Sequence, residues 1–216
     1  ADLSTEEKID NFTLVIHDWG SYIGLMYQNA FPERVARVVC FDVGILKKPP
    51  LKDALIILLY QLWFCTCFFF AHFLGRLCGQ AMMMGFFLFV APIVGPTPHD
   101  KVNRPILEIT PWMLYPYWHF HFGRMGYLRM GPKKMPRPRY PVGGCKILFM
   151  YGTKKNCMFH GPEFIDQIDK DEGSSWRAFD CGHWVQTSKF QREVIEEMRA
   201  FMGQGEGKGL LRPGES

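Results

Sequence analysis

The chain lacks the signals that most simply assign a function. It has no strong excess of either charge: 25 Lys and Arg against 21 Asp and Glu leave a net charge of +4 over 216 residues. Much of that excess sits in one proline-rich run, Pro132-Lys133-Lys134-Met135-Pro136-Arg137-Pro138-Arg139, which reads as a solvated linker. No aromatic-interleaved basic surface and no zinc-finger spacing accompanies it, so no nucleic-acid partner is expected. A disulfide framework is also missing. Cys40, Cys65, Cys67, Cys78, Cys145, Cys157 and Cys181 are odd in number and stand mostly in apolar contexts, as reduced core thiols of a cytoplasmic protein would. Cys65-Thr66-Cys67 lacks the two-residue spacer of redox and zinc pairs, and His119 and His121 have no further ligands beside them. Neither a metal nor a cofactor is expected. Residues 1–10 are acidic and helix-like rather than a secretory leader, and the chain begins at Ala1 instead of Met.

What the chain does have is apolar mass, 48% hydrophobic and 15% aromatic, enough for one domain with a sizeable core. Its most informative stretch is Leu14-Val15-Ile16-His17-Asp18-Trp19-Gly20-Ser21. Phe12–Ile16 is a short β-branched run, and Tyr22–Ala30 carries apolar residues at helical spacing. The pattern predicts a carboxylate displayed on a sharp strand-to-helix turn, with Gly20 giving the chain room to turn and helix N–H groups aimed at the reacting centre. That is the geometry of a nucleophile elbow, with Asp18 in the nucleophile's place.

Element order then indicates an α/β chain. Strand Phe12–Ile16, helix Tyr22–Ala30 and strand Val35–Phe41 form a βαβ unit, which implies a parallel sheet with a right-handed crossover. From Gly44 to about Gly144 the pattern is helical, aromatic and broken by prolines. Strand character returns at Lys146–Tyr151, followed by helix Pro162–Ile168, strand Trp176–Phe179 and helix Phe190–Met202. The expected organisation is therefore core at 1–44, helical cap or lid at 45–144, core at 145–203, and a disordered Gly-rich tail at 204–216.

Ala54–Gly75 is long enough to span a bilayer and is apolar on every face, with Lys47, Lys48, Lys52 and Arg76 at its ends. Gln61, Thr66 and His72 lie inside it and argue for a lid helix over an apolar pocket. A second run, Met82–Val94, is broken by Gly85 and Pro92. Membrane association through Ala54–Gly75 and a soluble lid both stand as readings.

The octapeptide with the following Phe31-Pro32-Glu33-Arg34-Val35-Ala36-Arg37-Val38-Val39, and Gly182-His183-Trp184 near the end, resemble the α/β-hydrolases of the haloalkane dehalogenase and epoxide hydrolase branch. The resemblance implies a partial parallel sheet with a helical cap inserted between strands. It implies Asp18 as nucleophile, His183 as general base and the Trp19 N–H as an oxyanion donor, its indole N–H being available to a departing halide. A carboxylate displaces halide or opens an epoxide to give an alkyl ester, and a histidine then activates water against that ester. Ile16 stands where the family usually has a small residue.

The triad's acid departs from the usual pattern. The common place, after the strand following the cap, reads Tyr151-Gly152-Thr153-Lys154-Lys155-Asn156. Lys155 stands where the carboxylate would be, and an ammonium cannot accept the histidine N–H. Asp42 occupies the alternative place before the cap, where a carboxylate after buried strand residues needs a partner. Asp42 is the expected acid, with Asn156 and then Asp180 behind it. For the substrate side, the resemblance points to cap tyrosines Tyr115 or Tyr117 first, with Tyr127 a further candidate. For a halide the resemblance implies a second N–H donor from a cap tryptophan, Trp63, Trp112 or Trp118, or from an Asn in the N-terminal part. The expected ligand is a small lipophilic molecule.

Nothing before Phe12 matches the family's first strands or its His-Gly-x-Pro oxyanion loop. The elbow strand is therefore expected at an open edge of a sheet of about four strands. The chain reads either as a fragment of a longer hydrolase or as a degenerate, non-catalytic relative. A membrane-attached hydrolase of lipophilic substrates is the third reading.

Overall fold

A computed structural model describes residues 11–94, 109–123 and 136–203. Tyr127, most of the linker run and the Gly-rich tail lie outside the described residues. The chain divides into two compact units, one of Ala1–Lys48, Arg137–Thr153 and Phe159–Ser216, the other of Pro49–Pro136 and Lys154–Met158.

The first unit holds strand β1 (Phe12–His17), helix α1 (Trp19–Ala30) and strand β2 (Val35–Phe41). It continues after the second unit's helices with β3 (Lys146–Gly152) and β4 (Ser175–Phe179). The four strands form one sheet in the order β1-β2-β3-β4, and every pair is parallel. Among the described residues β1 pairs on one side only, with β2.

Alternation along β2 and β3 explains their near-continuous apolar sequences. Val38, Cys40, Ile147 and Phe149 face one cluster that takes in Leu25 of α1. Val39, Phe41, Leu148 and Met150 face a second cluster on the opposite side. A strand covered on both faces reads as an unbroken hydrophobic run. The first cluster includes Phe164 and Ile168 from α6 (Pro162–Lys170), and the second Val194 and Phe201 from α7 (Gln191–Gly203). Each such fully buried side chain contributes about 1.5–3 kcal/mol.

Register brings the strand ends level: His17 pairs with Phe41, Phe41 with Met150, and Gly152 with Phe179. The residues that follow these ends, Asp18, Asp42 and the loop to His183, therefore emerge at one edge. Ligands of open α/β sheets bind at that carboxyl edge.

The second unit is helical. Helix α2 (Leu51–Phe73) is followed by α3 (Arg76–Gly85), a π-helical turn at Phe86–Val90 and the short α4 (Ala91–Val94). A 3-10 turn at Pro111–Leu114 leads into α5 (Tyr115–Phe122). Its core gathers Phe64, Cys67, Met83, Phe86 and Leu114, with Phe64 edge-on to Phe86 and Tyr117 at 4.9 and 5.0 Å. The three polar residues of the apolar run are each accommodated. Gln61 Oε1 lies 2.8 Å from Nε2 of His121, the Thr66 hydroxyl donates to the Leu62 carbonyl at 2.8 Å, and His72 packs edge-on to Trp112. At 23 residues, about 35 Å, α2 is long and apolar enough to cross a membrane by length and composition.

Candidate active site

β1 ends at His17 and α1 begins at Trp19, so Asp18 alone makes the turn. Its backbone lies at φ 53°, ψ −126°. A non-glycine residue held there stores about 1–3 kcal/mol of strain. This corrects the expected role of Gly20, which sits inside α1 without a positive φ and whose added Cβ would meet nothing within 4 Å. The change of direction takes one residue, so the strain falls on the residue that makes it. Asp18 is thereby displayed at the helix N-terminus with its side chain 43% exposed.

The bulk of Ile16, two residues earlier, is absorbed by α1. A Cβ at Gly24 would lie 2.6 Å from Ile16 Cγ2, so the glycine makes the space the larger strand residue fills.

Asp42 follows β2 directly and is completely buried, with φ at 64°. Its two carboxylate oxygens have different partners. Oδ1 accepts the Gly152 N–H at 2.9 Å, and Oδ2 lies 2.6 Å from Nδ1 of His183. A buried carboxylate stays favourable only when paired in this way.

His183 reaches the site because β3 and the loop after β4 touch. A Cβ on Gly152 would sit 1.9 Å from the Gly182 carbonyl oxygen, so only glycine permits this approach. With Nδ1 held by Asp42, Nε2 faces Asp18 Oδ1 at 3.7 Å. That distance exceeds a direct hydrogen bond. The three side chains expected to act together are thus adjacent in the order Asp42, His183, Asp18. Trp19 is the first residue of α1, and its backbone N–H lies at the positive end of the helix. Its indole is edge-on to Tyr22 at 6.1 Å.

Asp180, the last-ranked acid, is exposed beyond β4. Asn156 and Lys155 belong to the second unit, as do Tyr115, Tyr117 and Trp118. Tyr115 is 56% exposed at the start of α5. Tyr117 packs among Tyr60 and Phe64, and Trp118 stacks on Phe69 at 5.9 Å. Trp63 donates to the Met82 carbonyl at 3.3 Å, and Trp112 is half-exposed near Phe68. Among the described residues no cluster of His, Cys, Asp and Glu could hold a metal ion.

Three neighbours of the site carry no role in the sequence reading. His17 has Nε2 3.3 Å from the His183 carbonyl oxygen and its ring 4.4 Å from the His183 ring. Burial, with repulsion from His183, pushes His17 down to about 4, against smaller opposing contributions from Asp18, the His183 backbone contact and Asp42. A neutral His17 donates Nε2–H to that carbonyl. Trp184 packs on His17 at 4.7 Å, and Phe159 lies edge-on to His183 at 5.9 Å. His17 and Trp184 stand inside the two motifs, beside Asp18 and His183, and that adjacency was the available signal.

No protein-family model matches the chain. Among curated proteins it is similar to a cis-3-alkyl-4-alkyloxetan-2-one decarboxylase of Shewanella oneidensis, at 35% identity over 214 residues. The match covers 91% of this chain, and the chain spans only 61% of that relative's length. Among solved structures it resembles a carboxylesterase from Bacillus subtilis, with a TM-score of 0.57 at 13% identity over 94% of this chain and 64% of that one. It also resembles an epoxide hydrolase from Bacillus megaterium, with a TM-score of 0.52 at 18% identity over 94% of this chain and 74% of that one. The all-parallel sheet, the strand-to-helix turn at Asp18 and these likenesses identify the chain as having the α/β-hydrolase fold expected from its motifs.

Proposed function

We propose that this chain carries the reacting residues of a hydrolase that works through an alkyl ester on Asp18, with an epoxide or haloalkane-type substrate. The observation that carries the reading is the relay in which His183 Nδ1 lies 2.6 Å from Asp42 and Nε2 3.7 Å from Asp18. In the first step an Asp18 oxygen bonds to a saturated carbon while the C–O bond of an epoxide, or a carbon–halogen bond, breaks. In the second, His183 Nε2 takes a proton from water and the resulting hydroxide attacks Cγ of Asp18. Collapse of the tetrahedral intermediate frees the alcohol and restores the carboxylate. Asp42 holds the imidazole in the tautomer that leaves Nε2 basic and stabilises the imidazolium. The Trp19 N–H, at the N-terminus of α1, would steady the oxyanion, a contribution of about two to three powers of ten in rate per donor. A cap tyrosine, Tyr115 or Tyr117, would donate its hydroxyl proton to the epoxide oxygen as the ring opens.

A second reading comes from the 35% identity to the alkyloxetanone decarboxylase. Attack of Asp18 on the ring carbon bearing oxygen would open the four-membered lactone to a free carboxylate. Loss of CO2 would then form the alkene and expel Asp18, with no water consumed.

Both readings meet one experiment. A His183→Gln variant exposed to an epoxide, a haloalkane and an oxetan-2-one is digested, and the peptide containing Asp18 is weighed. An alkyl adduct from epoxide or haloalkane supports the hydrolase. Release of alkene and CO2 from the oxetanone alone favours the second reading. No adduct and no turnover with any of the three would leave a non-catalytic protein.

A further inference from the structure

We propose that the helical unit docks on the surface of an anionic lipid bilayer through the outward face of α2. This inference stands apart from the chemistry at Asp18. Leu51, Leu55, Leu58, Leu62, Phe69 and Phe73 recur at intervals of three, four and seven, which places them on one stripe of the helix. Leu51 and Phe73 at its ends are 77% and 69% exposed, and Leu59 on its flank is 66% exposed. The opposite face is packed: Gln61, Phe64, Cys67 and Ala71 are buried, and Gln61 is committed to His121. With one face committed to protein and the other apolar except for Thr66, α2 presents an exposed hydrophobic face of the kind that marks a membrane or protein contact.

Two further features suit lipid. Thr66 is the one polar residue among the stripe, and its hydroxyl is already satisfied by the Leu62 carbonyl, as hydrocarbon surroundings require. Beside it Leu62, Cys65, Thr66, Phe69, Trp118 and Phe122 line a groove of about 280 Å³, open to part of an acyl chain.

Charge selects the occupant. Lys52 and Arg76, both exposed, stand at the two ends of the apolar helix. The described residues of this unit add Lys154 and Lys155 and only one carboxylate, Asp53. By sequence alone, the whole of this unit carries ten Lys and Arg against three carboxylates, Asp53, Asp100 and Glu108. An apolar face bordered by cations is attracted to anionic headgroups, whereas a second copy would set like charges together.

The test is synthesis of the full chain in a cell-free system with vesicles present, followed by flotation. Vesicles of phosphatidylcholine with phosphatidylserine should carry the protein upward, and pure phosphatidylcholine should carry much less. The double variant Lys52→Glu, Arg76→Glu should lower recovery on anionic vesicles at least about tenfold. Leu55→Gln with Phe73→Gln should lower it on both, while Ile195→Gln, exposed on α7 of the other unit, should leave it unchanged. These positions are exposed, so circular dichroism of each variant should match the parent. Protein that sediments, or floats equally with and without the four substitutions, overturns the proposal. Failure to float, with a dimer that Leu55→Gln and Phe73→Gln dissolve, would assign the face to a second copy instead.

Discussion

The side chain of Ile16 fills the space over α1 that a side chain at position 24 would need, with an added Cβ at Gly24 only 2.6 Å from Ile16 Cγ2. Strand and helix sizes are therefore coupled at the base of the elbow. Gly24→Ala alone should destabilise the protein by about 1–3 kcal/mol through overpacking. In an Ile16→Ala background the same change should be nearly neutral, giving a favourable coupling energy in a double-mutant cycle. Denaturation midpoints of the four proteins check this. Simple additivity would mean that α1 moves away and the two residues are not in competition.

Asp42 is the buried partner of His183, at 2.6 Å, and its second oxygen is fixed by Gly152. Asp42→Asn keeps the volume and the Gly152 bond but favours the wrong imidazole tautomer. Turnover should fall by up to about four powers of ten while thermal stability stays close to the parent. Attack by Asp18 does not need the base, so an alkyl–enzyme should accumulate in quenched samples. Unchanged turnover would remove Asp42 from the reaction.

Much of this arrangement was readable from the residues, for reasons that differ by position. Asp18 stands between a β-branched run and a helical period and is legible locally, whereas Asp42 is suggested by the resemblance, which puts an acid before the cap, with the cost of an unpaired carboxylate after an apolar strand as support. The sheet followed from the same periodicities, and the fold agrees with the expectation. What escaped were contacts between distant segments. His17 meets His183 across 166 positions, and nothing in the alternation of β1 marks it. The sequence suggests Gly20 as the residue that gives the chain room to turn, whereas the one-residue turn is made by Asp18 with a positive φ. In α2 uniform apolarity conceals which face is packed, and the burial of Phe64, Cys67 and Ala71 with the pairing of Gln61 to His121 reveals it.

His17 gives the protein a defined acid response. Burial and the neighbouring His183 hold it at about 4, below the ordinary value of 6.5. Between those values the unfolded chain binds a proton there that the folded chain refuses. Its contribution is therefore full above about pH 6.5, declines as pH falls towards about 4, and is flat below that. Partial solvent access limits the loss to roughly 2 kcal/mol. His17→Gln keeps an N–H for the His183 carbonyl but cannot titrate. Its thermal midpoint should change less between about pH 7.5 and about pH 5 than the parent's. Equal slopes would place the titration elsewhere.

Two glycines at the site should respond to alanine with opposite signs. At Gly152 an added Cβ would lie 1.9 Å from the Gly182 oxygen and 2.5 Å from that of Cys181, both backbone atoms that a side-chain rotation cannot relieve. Gly152→Ala should push the His183 loop away, destabilise the protein by about 3 kcal/mol or more, and reduce turnover beyond the loss of folded protein. At Gly20 a Cβ would meet nothing within 4 Å, and the residue is helical. Gly20→Ala should therefore stabilise by about 0.5–1 kcal/mol, because alanine loses less backbone freedom in a helix. Thermal midpoints of the two variants decide the matter. A destabilised Gly20→Ala would return the strain of the elbow to position 20 and take it from Asp18.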